Sequence, residues 1–182
     1  MTAAPITIHV VRVTRPHRSG CIDPELREIL ASHLGAPPDI VVDDRGKPSL
    51  RDGRLAFSLA HTETLAIVAV SAVGPLGVDI ERITRMGAIG GARDHAALAR
   101  RYFTADEAAA VASAPESFYR LWTRKEAWVK AQGGGLAIPL DTVDLRGDVA
   151  GWFIDDLDVD AEHAAAIARP GSLSPIVYTP RR

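Results

Sequence analysis

Between Phe118 and Gly133 the apolar residues recur at helical spacing. Wound at about 100° per residue, Phe118, Leu121, Trp122 and Val129 fall on one stripe. The stretch has no Pro and no internal Gly, and Gly133-Gly134-Gly135 ends it, so the pattern predicts one helix. Lys125 interrupts the stripe, where an ammonium group is costly unless it meets an anion. Glu126 and Lys130 stand four residues apart on the stripe's edge. Upstream, Leu76 to Ile83 alternates as a strand: Val78 and Ile80 face one way, Asp79 and Glu81 the other. Acids two apart on a strand lie roughly 6–7 Å from each other at Cα, close enough for both to reach one cation.

The remaining pattern supplies the frame. Ile6 to Val13 predicts a first strand. Asp23-Pro24 is a helix-start signal, Leu26, Leu30 and Leu34 line one face, and Gly35 stops the helix, whose start could lie as early as Arg18. Ile40 to Val42 predicts a short strand, followed by the turn Asp43 to Pro48. Leu55 to Thr62 predicts a strand ending near His61, and Leu65 to Val73 is apolar enough to be buried on both faces. Gly74-Pro75 then predicts a hairpin into the Asp79/Glu81 strand. His95 to Phe103 predicts a helix, and Thr104-Ala-Asp-Glu107 is a capping box for a short helix running to Ser113. Strand-like runs follow near Thr142–Leu145, Trp152–Leu157, Ala164–Ala168 and Ile176–Tyr178, the last two predicting a closing hairpin. The order predicts an α+β chain of two small lobes with largely antiparallel sheets, residues 1–75 and 76–182, with a cleft between them.

Composition narrows the possible partners. At 182 residues and 47% hydrophobic, the chain can bury a core. A net charge of −2 argues against a whole-surface nucleic-acid binder, so an anionic ligand needs a local basic cluster. Cys21 is the only cysteine, which leaves no intrachain disulfide and no multi-cysteine zinc site. No apolar run approaches the ~20 residues of a bilayer span, and Met1 to Val13 does not read as a signal peptide, so a cytoplasmic protein is expected.

The candidate chemistry lies where the two opening patterns meet. Asp79, Glu81 and Glu126 would make an oxygen-rich set suited to a hard cation such as Mg²⁺, which shares itself with substrate phosphates. Taken singly, other residues have plainer readings: Lys47 as an ordinary exposed lysine, His61 as a capping or satisfied histidine, and Glu107 as the structural partner of the Thr104 cap.

Five segments together carry a resemblance. They are Gly46-Lys47-Pro48, Phe57 to Thr62, Gly77-Val-Asp-Ile-Glu81, Phe103 to Glu107, and Leu121 to Lys130 with Gly133 to Leu140. In order and spacing the chain resembles the 4′-phosphopantetheinyl transferases of the surfactin-synthetase-activating type, from about Arg18 to Leu145. The resemblance implies two similar lobes, each a helix on an antiparallel three-stranded sheet, related by a pseudo-twofold with coenzyme A in the cleft. It implies transfer of the phosphopantetheine arm of coenzyme A to a serine of an acyl or peptidyl carrier protein, releasing adenosine 3′,5′-bisphosphate. Asp79, Glu81 and Glu126 would hold Mg²⁺. Lys130 would contact the phosphate under attack, and Glu126 would be the best-placed proton acceptor, with Glu107 a possible second acid. Lys47 and His61 would hold the adenosine end, Arg18 and Ser19 further phosphates, and Lys125 an anion in the cleft. Ala60 stands where the family has a serine, and the basic residues preceding the family's first helix are largely missing. A monomer suffices, since both lobes lie in one chain. A non-catalytic coenzyme A-binding relative and a metal-dependent phosphodiesterase are the alternatives. The carrier and its pathway are not legible in the sequence.

Overall fold

The computed structural model describes residues 4–13, 24–84, 94–135, 138–171 and 174–179. The first half contributes β1 (Ile6–Arg12), α1 (Pro24–Leu34), β2 (Ile40–Val42), β3 (Pro48–Leu50), β4 (Ala56–His61) and β5 (Leu65–Ser71). The second contributes β6 (Gly77–Arg82), α2 (His95–Tyr102), α3 (Ala105–Ser113), α4 (Ser117–Gln132), β7 (Trp152–Asp156), β8 (His163–Pro170) and β9 (Ile176–Tyr178). The chain is a mixed α+β protein. One sheet has the order β4-β5-β1-β9, a second β6-β8-β7, and β2-β3 form a ribbon.

Burial explains the layering. Every residue of β5 is buried, as its unbroken apolar run requires. Val68 and Val70 meet Leu26, Ile29 and Leu30 of α1, while Leu65, Ile67 and Ala69 face inward. The inward cluster continues through Val78 and Ile80 of β6 to Ala165 and Ile167 of β8, so a single core joins the two sheets. On the far side, Ala127, Trp128, Val129 and Ala131 of α4 cover Ile154, Ala166 and Ala168. The edge strands β4 and β6 meet where the Val78 amide donates to the buried Ser58 Oγ at 3.1 Å.

Several expectations are corrected. The Asp79/Glu81 strand does not form a hairpin with β5. Both edges of β5 are taken, by β4 and β1, and β6 pairs antiparallel with β8 instead. The closing hairpin is also absent: β9 crosses back to pair with β1 in parallel, giving the first sheet four strands rather than three. Residues 142–145 are not a strand. Leu140–Thr142 form a 3₁₀ turn, and the nearby backbone bonds go to side chains. Lys125 Nζ donates to Leu140 O and Val143 O, and the Leu145 amide donates to Glu107 Oε1. The small strand β3 has no counterpart in the sequence pattern, and any start of α1 before Pro24 lies outside the described residues.

Gly77 governs how closely α4 can approach. A methyl group there would lie 2.1 Å from Ala127 O and 2.4 Å from Ala131 N, both backbone atoms of α4. Gly77→Ala must therefore push the helix off the strand, at a cost of about 3 kcal/mol or more, above the usual overpacking range because backbone cannot yield as a rotamer does. Urea unfolding checks this, and a loss below about 1 kcal/mol would show that the helix can shift freely.

Candidate functional site

Gly77, Asp79 and Glu81 share one face of β6, and α4 lies against that face with Lys130 over Gly77. Lys130 Nζ reaches Asp79 Oδ1 at 2.6 Å. Asp79 is buried, and its Oδ2 has no hydrogen-bond partner. Burial raises the Asp79 carboxyl above its ordinary range, and the Lys130 charge and hydrogen bond oppose that rise. Glu126, one helical turn before Lys130, is also raised, first by burial, then by Asp79, with a smaller push from Glu81; Lys130 opposes. Glu126 thus lies close enough to feel both of the other acids. Among the described residues, however, no group of three histidine, cysteine or acidic side chains is already disposed to hold a metal ion.

Glu126, Lys130 and Glu81 also line cavities. Glu126 and Lys130 border one of about 310 Å³, together with Arg45, Lys47, Phe57 and Gly133. Lys47 Nζ donates to Lys130 O at 2.6 Å and Arg45 Nη1 to Gly133 O at 3.0 Å, so two cations from the β2–β3 turn cap the C-terminal end of α4. Asp43 Oδ1 shapes that turn by accepting from the Arg45 and Lys47 amides. Burial lowers the Lys47 ammonium, with Asp43 opposing. Glu81 lies on a second cavity, about 380 Å³, with His61, Arg82, Tyr119 and Trp122. Lys47 and His61, expected to hold one end of a ligand together, thus face different cavities.

Glu107 and Lys125 have another position. Both are fully buried, with Lys125 Nζ 2.8 Å from Glu107 Oε2. Glu107 also accepts from the Thr104 amide and hydroxyl as the capping box predicts, and from the Leu145 amide. Burial lowers the Lys125 ammonium, and Glu107 opposes. The anion that Lys125 required is therefore inside the protein. Arg124 makes a parallel tie, donating to Leu145 O, Arg146 O and Ile154 O. Arg18 and Ser19 lie outside the described residues.

Sequence reasoning missed three contributors. Arg45 looked like an ordinary turn residue. Ser58 gave no signal, because the amide it receives comes from a strand twenty residues on. Gly77 did carry one: a glycine inside a strand pattern marks a close backbone approach.

Acids and ammonium groups gathered beside a partly apolar cavity are an arrangement able to hold a charged ligand. The family described as the 4′-phosphopantetheinyl transferase superfamily matches residues 75–170, which hold β6, α4 and the second sheet. The 4′-phosphopantetheinyl transferase HetI of Nostoc sp. is 34% identical over 167 residues, covering 80% of this chain and 68% of that protein. A 4′-phosphopantetheinyl transferase of Bacillus subtilis is 30% identical over 174 residues, covering 83% of this chain and 73% of that one. AcpT of Salmonella typhi is 36% identical over 115 residues, covering 59% of this chain and 56% of its own. The chain belongs to the 4′-phosphopantetheinyl transferase superfamily, and its enzyme class is that transferase.

Two outcomes follow from the electrostatics. Lys125→Met leaves the Glu107 charge buried without its partner and should cost about 3–5 kcal/mol. Adding Glu107→Gln removes that charge and should recover part of the loss, so a double-mutant cycle by urea unfolding yields a clear coupling energy. Strict additivity would contradict the ion pair.

Asp79 and Glu126 are raised from 3.8 and 4.5, so between those values and their folded-state values the native protein binds more protons than the unfolded chain. Their contribution to stability is present at low pH and is lost as pH rises through the raised values. Without added metal, Glu126→Gln should flatten that fall relative to the parent protein. Urea midpoints from about pH 4.5 to 7.5 measure it, and identical slopes would count against the shift.

Proposed function

We propose that this chain transfers the 4′-phosphopantetheine arm of coenzyme A to a serine of an acyl or peptidyl carrier protein, as an enzyme of the surfactin-synthetase-activating type. Adenosine 3′,5′-bisphosphate is the product released, and Mg²⁺ the cofactor. The observation that carries the reading is the contact between Lys130 and the buried Asp79 beside a cavity that Lys47 and Glu126 also line. The donor set fits a hard cation: Asp79 Oδ2 is a buried oxygen without a partner, and Asp79 and Glu81 both raise the Glu126 carboxyl. Asp79, Glu81 and Glu126 would hold the ion, which when bound neutralises diphosphate charge.

The chain's own groups do the rest. The serine oxygen attacks the phosphorus next to the pantetheine arm, and the bond to the bisphosphate leaving group breaks. The Lys130 side chain, a third exposed, can turn from Asp79 toward the developing charge. Glu126 lines the same cavity and would take the serine proton. Lys47, at the mouth formed by the β2–β3 turn, offers a phosphate contact, and His61 with Arg18 and Ser19 would complete the anion contacts. Glu107 and Lys125 serve as an internal strut that aligns α4, rather than as acid and ligand contact. The lobes 1–75 and 76–182 would form the walls of the cleft, with a monomer acting in the cytoplasm.

An apo carrier panel mixed with the chain, coenzyme A and Mg²⁺ should gain the mass of the phosphopantetheine arm. Glu126→Gln should lose about 100-fold or more in turnover while keeping its fold. No mass gain on any carrier would remove the reading, and coenzyme A consumed without an acceptor would point to a phosphodiesterase instead.

A further inference from the structure

We propose that Lys130 is a built-in counter-ion for Asp79: it occupies the acid in the metal-free protein, competes with a divalent cation for that carboxylate, and is released toward substrate phosphate when the cation arrives. This rests on the metal-dependent transfer reading above.

Three observations carry it. First, the position of the lysine is set by the fold. A Cβ on Gly77 would lie 2.9 Å from Lys130 Cβ, so the lysine stem rests where Gly77 has no side chain. Gly77 and Asp79 are two apart on one strand face, so the stem points the ammonium at that acid. Second, the pairing is incomplete. Nζ holds Oδ1 at 2.6 Å, while the buried Oδ2 has no partner. A buried carboxylate with one oxygen unanswered is an acceptor awaiting a donor or a cation. Third, Glu126 stands one turn before Lys130 on α4 and lines the same cavity. With the lysine in place, a divalent ion would have to share one carboxylate with another positive charge, and the two cations repel.

Lys130 differs in this from Lys125. The Lys125–Glu107 pair is sealed, with side chains 1% and 0% exposed, and every partner is internal. The Lys130 side chain is 33% exposed and borders the cavity with Lys47 and Glu126, so it has somewhere to go. Linkage then makes cation binding and lysine release two sides of one equilibrium.

Mn²⁺ serves as the probe, titrated into the full chain without coenzyme A and read by its paramagnetic resonance signal. Lys130→Met should bind Mn²⁺ at least about tenfold more tightly than the parent chain. Lys47→Met, which removes an equal charge from the same cavity without touching Asp79, should change affinity by no more than about threefold. Equal gains in both variants, or none in Lys130→Met, would overturn the proposal. A second measurement uses the unaltered chain: acetylation of Lys130 by an amine-reactive ester, followed by peptide mass, should quicken at least about threefold when Mn²⁺ saturates the protein. Unchanged labelling would overturn it too. If the parent chain binds Mn²⁺ tightly and Lys130 stays unmoved, only the counter-ion role falls. If no form binds Mn²⁺ even with coenzyme A, the metal reading falls and takes this inference with it.

Discussion

Helix α4 lies on strand β6 backbone against backbone, because Gly77 offers no side chain to hold them apart. Much of the site follows from that approach. It places Lys130 and Glu126 over the face that carries Asp79 and Glu81, and it buries Asp79 enough to disturb its ionisation. It also brings the end of α4 within reach of the β2–β3 turn, where Lys47 and Arg45 cap the helix carbonyls. The cavity between that turn and α4 exists because the two halves of the chain meet over a shared apolar core rather than through a linker.

The helix carries charges of two kinds. On its inner side, Arg124 and Lys125 donate to backbone carbonyls of residues 140–154, and Lys125 closes on Glu107. A buried ion pair gains its stability only when the remaining donors and acceptors are also met, and there they largely are. At the cleft, Asp79 and Lys130 make a pair that leaves an oxygen unanswered and a lysine partly in solvent. Natural proteins seldom leave a buried polar atom unpaired without a use for it. Residues five apart on one helix therefore differ in surroundings: Lys125 is tied into the interior, and Lys130 borders the cavity.

The backbone of residues 140–145 shows how such side chains reshape what a local pattern suggests. Its letters suit a strand, yet its carbonyls and an amide are claimed by Lys125 and Glu107, and a ladder cannot form on groups already bonded. No neighbour-by-neighbour reading could foresee this, since the partners lie some fifteen to forty residues away in sequence.

Periodicity and local chemistry alone settled the elements that carry the site. The α4 stripe, the alternation of β6, the capping box at Thr104 and the buried run of β5 are short-range facts, and each element formed where its pattern placed it. The need of Lys125 for an anion was equally legible, because burying an ammonium group is costly in any fold. Which anion answered it was not. Nor could the letters show that β6 leaves β5 for β8, that β9 returns to β1, or that Lys47 and His61 face separate cavities. Those outcomes depend on which strand edges remain open once the sheets assemble, and on how near a helix can come to a glycine. Both are properties of distant segments meeting in space, so only the tertiary structure could decide them.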